Sequence, residues 1–480
     1  MKPVARARSI VAGAGMALAA LGARAEAQGA NAPTRCTFES DRFRADSIAG
    51  IGTVFYAGGG VRIHCPERKI TITGDSAERF QDHDQVIGHA VYDEPRLHVT
   101  SDFLNYFQND ERVVAVSNVH ARLPSGSTLD GPQAEFRRAV PRIRPRQQIS
   151  AIARPTITIV ENDSAGKPQP PTTVVANTVF MDGDSLIYGG GQVVITRTDI
   201  DATADSAFID QTQETMHLMR NPVVNGKRDR PFTLTGDLID AFWHDRKLSR
   251  ILSQANAKAV SDSLTLTADT LDLRVTNDQL NHAYAWGSSK QARVISPSQN
   301  MTADSLDVSM PGQRVQLVRA VRMAFAEGRP DTARFVVTRP DTTDWLKGDT
   351  IVARFDTLST RDTTQNPEIR QVTALGNASS LYHLAASDSA ERRPAMNYVT
   401  AREITVNFNE KKVATVTTVD SVAGVHLDPI PDSTAKRAAP STAQPNANGS
   451  PARPGEPGKG PVPSIVPLPT KPPTQPPTRP

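Results

Sequence analysis

The chain has 480 residues and a formal net charge of +3 at pH 7. This length allows one large repetitive domain or two to three ordinary domains. Its 54 Lys and Arg nearly balance its 51 Asp and Glu. The charges alternate along the chain and do not gather into the dense basic face that nucleic-acid binding requires. Bulk charge therefore gives no indication of a nucleic-acid partner.

The first 27 residues are typical of a secretory signal peptide. Lys2, Arg6 and Arg8 form a basic start, and residues 10–21 are apolar and rich in Ala and Gly. Residues 25–27 (Ala-Glu-Ala) provide a small-x-small cleavage site, and a second such triplet lies two residues earlier. Because the apolar run is too short to cross a bilayer, we expect a soluble mature protein outside the cytoplasm.

Cys36 and Cys65 are the only cysteines, and both lie early in the predicted mature sequence. An oxidising compartment permits them to pair, and such a bridge would contribute roughly 3 kcal/mol by the loop-entropy model. The alternative is a pair of half-buried free thiols. We predict the Cys36–Cys65 disulfide, because a secreted chain with two cysteines rarely leaves both free.

A short motif recurs along the chain and is clearest in LTADTLDL (266–273) and MTADSLDV (301–308). Counted from the first Asp of each stretch, apolar residues stand at −3, +2 and +4, and a small residue stands at −1. Ten copies fit this template, although the copy at Asp75 has Arg79 at +4, and an eleventh is centred on either Asp41 or Asp46. Seven of the ten are centred on an Asp: Asp75, Asp102, Asp205, Asp237, Asp269, Asp304 and Asp349. The other three are centred on Pro132, Asn177 and Arg402.

The spacing of the motif predicts a corner in a β-strand. Offsets of two, three and two residues do not fall on one face of a helix. In a strand, the alternation slips by one residue at the small–Asp pair, so the apolar side stays inward only if the strand bulges or turns there. Asp tolerates turn dihedrals and hydrogen-bonds nearby amides. We therefore interpret the seven Asp residues as structural corners.

Many corners are followed by a Gly or Asn and then by an alternating apolar strand, as in SNVHARL at residue 117 and RNPVV at residue 220. Stacked repeats of two to four short strands would bury a continuous apolar interior. We predict an all-β, repetitive, β-solenoid-like twisted roll in two parts, residues 28–160 and residues 172–427. Residues 428–480 are rich in Pro, Ser and Thr, which predicts a disordered or polyproline-like tail.

Two stretches resemble a known family. They are GGGVRIHCPERKITITGDSAERF (58–80) and VTSDFLNYFQNDERVVAVSNVHARL (99–123). Their small–Asp corners and Gly/Asn–Val strands are similar to those of the OstA/LptA-like family, the β-jellyroll of lipopolysaccharide transport, and the resemblance covers residues 40–427. It implies a V-shaped β-jellyroll whose apolar interior holds acyl chains. It also implies a periplasmic location, including association with the outer membrane.

The resemblance implies two kinds of partner. The first is lipopolysaccharide or a related lipid, held by inward side chains. The second is another bridge protein, an outer-membrane barrel component or a further copy of this chain, joined by strand addition at an open sheet edge. The residues expected to line the lipid groove are Leu104, Tyr106, Ile239, Leu271, Leu273, Leu306, Val308, Ile404 and Val406. The alternative for these residues is a dry core that holds no ligand.

Sequence motifs of enzymes are absent. The chain has no G-x-S-x-G, G-x-x-x-x-G-K-[ST], H-E-x-x-H or C-x-x-C. Its ten His are dispersed, so we expect neither catalysis nor a metal or cofactor. The rival interpretation is a secreted β-helix-like protein that binds carbohydrate or acts as an adhesin or structural repeat protein. A carbohydrate-cleaving β-helix would need clustered acids, whereas here the corner acids are spread along the repeats.

Overall fold

A computed structural model describes residues 36–48, 50, 52–227, 231–261, 264–296, 299–328, 343–356, 367–384, 393–409 and 412–429. The predicted signal peptide lies outside the described residues, as does the predicted Pro-rich tail apart from its first two residues. The described strands belong to one compact unit that ends at Pro429.

The described residues confirm the all-β class. Their strands pair antiparallel in one 29-stranded sheet. Single 3₁₀ turns lie at Pro66–Arg68 and Pro311–Gln313. The first fourteen strands are β1 (Thr37–Ile48), β2 (Gly52–Cys65), β3 (Ile70–Arg79), β4 (Asp84–Glu94), β5 (Leu97–Phe107), β6 (Arg112–Arg122), β7 (Thr128–Arg137), β8 (Gln148–Ile152), β9 (Thr156–Ile159), β10 (Thr172–Val175), β11 (Thr178–Asp182), β12 (Leu186–Thr196), β13 (Ile200–Asp210) and β14 (Thr215–Met219).

The remaining strands continue the same antiparallel sheet. They are β15 (Val223–Gly226), β16 (Phe232–Thr235), β17 (Leu238–His244), β18 (Lys247–Ser261), β19 (Thr265–Thr276), β20 (Gln279–Trp286), β21 (Ala292–Ile295), β22 (Gln299–Ala303), β23 (Ser305–Ser309), β24 (Leu317–Gly328), β25 (Asp344–Phe355), β26 (Ile369–Leu384), β27 (Ala395–Asn409), β28 (Lys412–Val419) and β29 (Ala423–Leu427).

The long strands change register near their middle, and this bend divides each of them into two arms. The pairing of β5 with β6 shifts between Thr100 and Phe103, and the pairing of β18 with β19 shifts between Gln254 and Ala257. These positions adjoin the predicted corners at Asp102 and Asp269. We call the side that contains β8, β11, β14, β17, β20, β23 and β28 arm A. The side that contains β9, β10, β15, β16, β21, β22 and β29 is arm B.

Some bent strands are interrupted at the corner, so that their arms are separate segments. Four such segments and two continuous strands close an antiparallel ring of pairings in the order β7–β8–β11–β12–β10–β9. The same ring recurs in β13–β18 and in β19–β24. A repeat is therefore one bent hairpin, made of two to four strand segments. The pairing of β9 with β10 continues the sheet between the two predicted parts.

The two arms face each other across one apolar core. Tyr92 in arm B and Tyr106 in arm A are both buried, with ring centroids 6.3 Å apart. In β19, Leu266 precedes the corner and Leu271 follows it, yet both are buried, because the one-residue slip keeps the apolar side inward. One core cluster extends from β2 to β27. Large rings are scarce in it, so alanine and aliphatic side chains supply most of the buried surface.

The structure joins Cys36 to Cys65 by a disulfide. Cys36 directly precedes β1, and Cys65 ends β2. The adjacent residues Thr37 and His64 are already paired in the β1–β2 ladder. The disulfide therefore ties the first edge strand to its only described neighbour in the sheet.

Candidate functional site

The corner Asp residues lie on the outside of the bend and accept hydrogen bonds from the next strand. Asp102 accepts from the Ser117 hydroxyl at 2.6 Å and from the Asn118 amide at 2.7 Å. The same cross-strand Asp–Asn bond recurs at three further corners, Asp205–Asn221 (3.4 Å), Asp237–Asn256 (3.1 Å) and Asp349–Asn377 (3.0 Å). At Asp75 the partner is the His89 ring at 2.8 Å. These contacts support a structural role.

The facing strand contributes the other half of each corner, which the sequence template did not include. Ser117 and Asn118 both have positive φ, 65° and 50°. Equivalent left-handed pairs face most of the other corners, including Arg220–Asn221, Ala255–Asn256, Arg322–Met323 and Gly376–Asn377. Asn and Gly adopt this conformation most easily. The recurrent Gly or Asn downstream of most corner Asp residues was the available signal for this element.

The backbone amides of the corner Asp residues also donate to the facing strand, as from Asp304 to the Arg322 carbonyl at 3.1 Å and from Asp205 to the Arg220 carbonyl at 3.0 Å. Asp269 accepts from the backbone amides of Ser288 and Ser289 at 2.9 and 2.8 Å. These bonds hold the pKa of Asp269 below the ordinary aspartate value; the Ser289 amide has the largest effect and the Ser289 hydroxyl the next largest.

The structure also decides which residue centres the eleventh copy of the motif. The register of the β1–β2 ladder shifts between Ser40 and Arg42, so the corner lies at Asp41 and not at Asp46. Opposite it, Gly59 has φ +82°, and a Cβ added there would lie 2.9 Å from the Asp41 Cβ. The left-handed glycine therefore supplies both the backbone conformation and the space that this corner needs.

All nine residues predicted to line the groove point into the space between the arms. Each is at most 2% exposed: Leu104, Tyr106, Ile239, Leu271, Leu273, Leu306, Val308, Ile404 and Val406. They do not form one local site but follow the sheet from β5 to β27. Their burial fits both of the alternatives for them, a groove whose arms have closed and a dry core.

A cavity of about 60 Å³ opens between the arms near β16–β20. Arm B contributes Phe232, Leu264 and Leu266, and arm A contributes Leu273 and Leu280 among others. Met310, Gln313 and Val315, in the turn before β24, complete its rim. The lining is mostly apolar, which suits an alkyl chain. Except for Leu273, the sequence analysis did not select these residues, because most lie at strand tips beyond the range of the template.

Phe232 separates this apolar cavity from a smaller one of about 20 Å³. The second cavity has polar groups at its mouth, including Asp199 and Lys227. Phe232, Leu280 and Gln313 line both cavities. The Phe232 ring lies where a Cβ on its strand partner at position 226 would project, and that partner is Gly226. The absence of a side chain at this position therefore gives the ring its place between the cavities.

Four charged residues join the tips of the two arms in the first third of the sheet. Arg138 of arm A donates to Glu94 of arm B at 2.6 Å and to Glu111 of arm A at 2.8 Å. Arg68 of arm B pairs with Glu111 at 2.9 Å. We call Arg68, Glu94, Glu111 and Arg138 the first clasp. Since it covers the interior above Tyr106, it closes the open side of the bend there.

A second clasp joins the arm tips in the middle of the sheet. Arg246 of arm A pairs with Glu161 of arm B at 3.1 Å, and its carbonyl accepts a bond from Arg197 of arm B at 3.2 Å. The Trp243 indole donates to Asp199 at 3.3 Å, and the Arg197 guanidinium lies over the Trp243 ring at 4.8 Å. A cavity of about 40 Å³ lies against these residues. The second clasp comprises Glu161, Arg197, Asp199, Trp243 and Arg246.

Burial has the largest effect on the pKa of one glutamate in each clasp. It raises the pKa of Glu94 above the ordinary glutamate value, although the nearby Arg138 guanidinium acts to lower it. Burial likewise raises the pKa of Glu161, against the effect of Arg246 and Arg197. The side chain of Glu94 is only 5% exposed. A buried carboxylate of this kind depends on its cation to stay charged at neutral pH.

The two lateral ends of the sheet expose apolar side chains. β1 pairs with β2 at one end, and β28 and β29 pair with β27 at the other. Phe43 on β1 is 61% exposed. At the far end, four aliphatic residues are each more than half exposed: Val419, Val422, Val425 and Leu427. Edge backbone groups next to exposed apolar side chains form a surface onto which another strand can add.

Comparison of the chain with models of known protein families finds no match, and neither does comparison with curated proteins. Within the described ranges, no group of three or more His, Cys, Asp or Glu side chains could hold a metal ion. The part of the chain that the structure describes has no helix of the length and hydropathy needed to cross a bilayer.

Proposed function

We propose that this chain is a periplasmic lipid-transport protein of the OstA/LptA-like kind. It shields the acyl chains of lipopolysaccharide or a related lipid between the two arms of a β-jellyroll. The observation that carries the proposal is the continuous apolar interior between the arms, from β2 to β27. Acyl chains offer no polar groups, so aliphatic walls without hydrogen-bonding partners are the surface that suits them.

The ends of the sheet support a bridging role. Strand addition needs an unpaired edge, and β1 and β29 each have a ladder partner on one side only among the described strands. The exposed Val425 and Leu427 of β29 would be covered by an added strand. Partners of this kind include an outer-membrane barrel component, another bridge protein or a second copy of this chain.

Complementation after depletion tests the function. Depletion of the protein should lower lipopolysaccharide at the cell surface, and the unaltered gene should restore it. Leu273→Glu places a charge in the apolar cavity and should fail to restore transport. Thr276→Glu places the same charge on the same strand, at a residue exposed on the outside of the sheet, and should restore it. Unchanged surface lipopolysaccharide on depletion would exclude the transport function.

One observation favours the alternative of a secreted carbohydrate-binding repeat protein. Phe180, Tyr188, Phe208 and His217 form a row of rings on the outside of arm A, with centroid distances of 5.8, 4.7 and 5.8 Å. Tyr188 is 41% exposed. Retention of the purified protein on polysaccharide, lost in Tyr188→Ala, would support this second function.

A further inference from the structure

The cross-arm clasps and the apolar cavity occupy different parts of the same interior. The first clasp joins residues of β4 and of the turns beside β3, β6 and β7, and the second joins the arm tips from β9 to β18. The cavity lined by Phe232, Leu264 and Leu273 lies farther along, between β16 and the turn before β24. Under the first clasp the interior is filled by the buried rings of Tyr92 and Tyr106, whereas beside Phe232 it holds the apolar cavity.

We propose that the interior is divided along the sheet into a clasped section and an alkyl-binding section. The first clasp holds the arm tips together in the clasped section and keeps alkyl chains out. The cavity beside Phe232 admits one alkyl chain from the side. The inference deepens the proposed function and rests on it for the identity of the lipid, while the division itself concerns any alkyl chain.

The geometry of the first clasp supports exclusion. Arg138 bonds both to Glu94 of the opposite arm and to the Arg68 carbonyl, at 2.6 and 3.2 Å, so one guanidinium spans the gap between the arms. Below it, the rings of Tyr92 and Tyr106 fill the interior. An alkyl chain could enter here only by separating buried charges from their partners, which is unfavourable because each would be left unpaired in a poorly solvated site.

The cavity section has the opposite character. Its walls come from both arms, and Leu264 and Leu280 at its rim are only partly buried. Its polar neighbour places Lys227 and Gln313 beside the mouth. This arrangement suits a ligand with an apolar chain inside and polar groups at the surface. The occupant to which we assign the cavity is one alkyl chain of an amphiphile.

Thiol labelling of single-cysteine variants tests the division in vitro, with the native disulfide left oxidised. The reporters are Leu104→Cys under the first clasp and Leu273→Cys in the cavity, and the probe is N-dodecylmaleimide. We expect the cavity thiol to react at least about tenfold faster than the clasped thiol, because local opening must precede reaction at the buried site. Equal rates at the two positions would overturn the division.

A second experiment disrupts the first clasp by mutation. Glu94→Gln with Glu111→Gln removes the carboxylates that pair with Arg138, and it should raise the labelling rate of Leu104→Cys by about tenfold without changing that of Leu273→Cys. Circular dichroism establishes that each variant is folded. Asp46→Asn is the matched control, because the Arg44–Asp46 pair is exposed and lies within arm A. A folded clasp variant with an unchanged rate at Leu104→Cys would contradict the clasp.

A third variant keeps the test independent of the clasp. Leu280→Trp should fill the cavity and slow the reaction of N-dodecylmaleimide with the thiol of Leu273→Cys. A small hydrophilic maleimide reports any general change in how often the arms open. Equal slowing of both reagents would mean that the cavity does not select alkyl chains. These labelling results do not depend on lipopolysaccharide. Failure of depletion to alter surface lipopolysaccharide would therefore remove the transport function and leave the division of the interior to be judged by the labelling rates.

Discussion

Replacement of Arg138 by Gln provides a quantitative test of the first clasp. Arg138 pairs with Glu94 and Glu111, whose side chains are 5% and 18% exposed. Removal of one partner from a buried ion pair costs about 3–5 kcal/mol, because the remaining charge is left uncompensated. Glu111 keeps Arg68 at 2.9 Å. We therefore expect Arg138→Gln to lower the free energy of unfolding by the smaller value, about 3 kcal/mol at neutral pH.

The loss of unfolding free energy in Arg138→Gln should increase as the pH rises. Burial already raises the pKa of Glu94, and removal of the cation raises it further. A carboxyl whose folded pKa exceeds its unfolded value contributes stability that is fully present below the unfolded value and lost as the pH rises through the folded value. The penalty of Arg138→Gln should therefore be small near pH 4, about the unfolded value of glutamate, and should grow towards neutral pH.

Urea denaturation followed by circular dichroism at the two pH values measures both effects. Arg44→Gln is the control, because Arg44 is 75% exposed and pairs with Asp46 on the surface. Exposed pairs contribute about 0.2–1 kcal/mol, so the control should change little at either pH. A loss below about 1 kcal/mol at neutral pH for Arg138→Gln would refute the buried-charge reasoning. An equal loss at both pH values would refute its electrostatic origin.

Three further predictions concern the corners and the cavity. Asp102→Ala removes the acceptor of two cross-strand bonds and should cost about 1–2 kcal/mol by urea denaturation, whereas Asp110→Ala, in an exposed turn, should not. Since the pKa of Asp269 is lowered, its contribution to stability is present above the unfolded value and lost as the pH falls through the folded value. Asp269→Asn should therefore flatten the acid limb of a stability–pH profile, and an unaltered limb would contradict this. Gly226→Ala should displace the Phe232 ring at a cost of about 1–3 kcal/mol and alter dodecylmaleimide labelling in the cavity, while equal stability and labelling would oppose the packing argument.

The register of the bends could be predicted from the sequence because it is a local property. The apolar positions on either side of Asp269 and Asp304 fall on opposite strand faces unless the strand turns, and the structure has a corner at both. The partners of the Asp side chains were less accessible. Asn118 and Asn377 lie 16 and 28 residues from their acceptors. The recurrent Gly or Asn was the one sequence feature that indicated these hydrogen-bond partners.

The clasps could not be predicted from local patterns. Glu94 and Arg138 are 44 residues apart, and neither belongs to the repeat template. They meet because β4 and β7 end at the same side of the bend on opposite arms. The cavity depends equally on the pairing of distant strands, since Phe232 and Leu280 come together only when arms A and B close. Sequence periodicity identifies which side chains point inward but not how completely the arms fill the space between them.

The most direct test of lipid transport is photo-crosslinking in cells that make lipopolysaccharide. A benzophenone amino acid is introduced at Leu273 and Val308 inside the bend and, as the outward control, at Arg274. We predict lipopolysaccharide adducts at the inward positions, with Leu273 the stronger because it lines the cavity, and none at Arg274. Absence of lipid adducts at every inward position, with the protein folded and exported, would contradict the central claim.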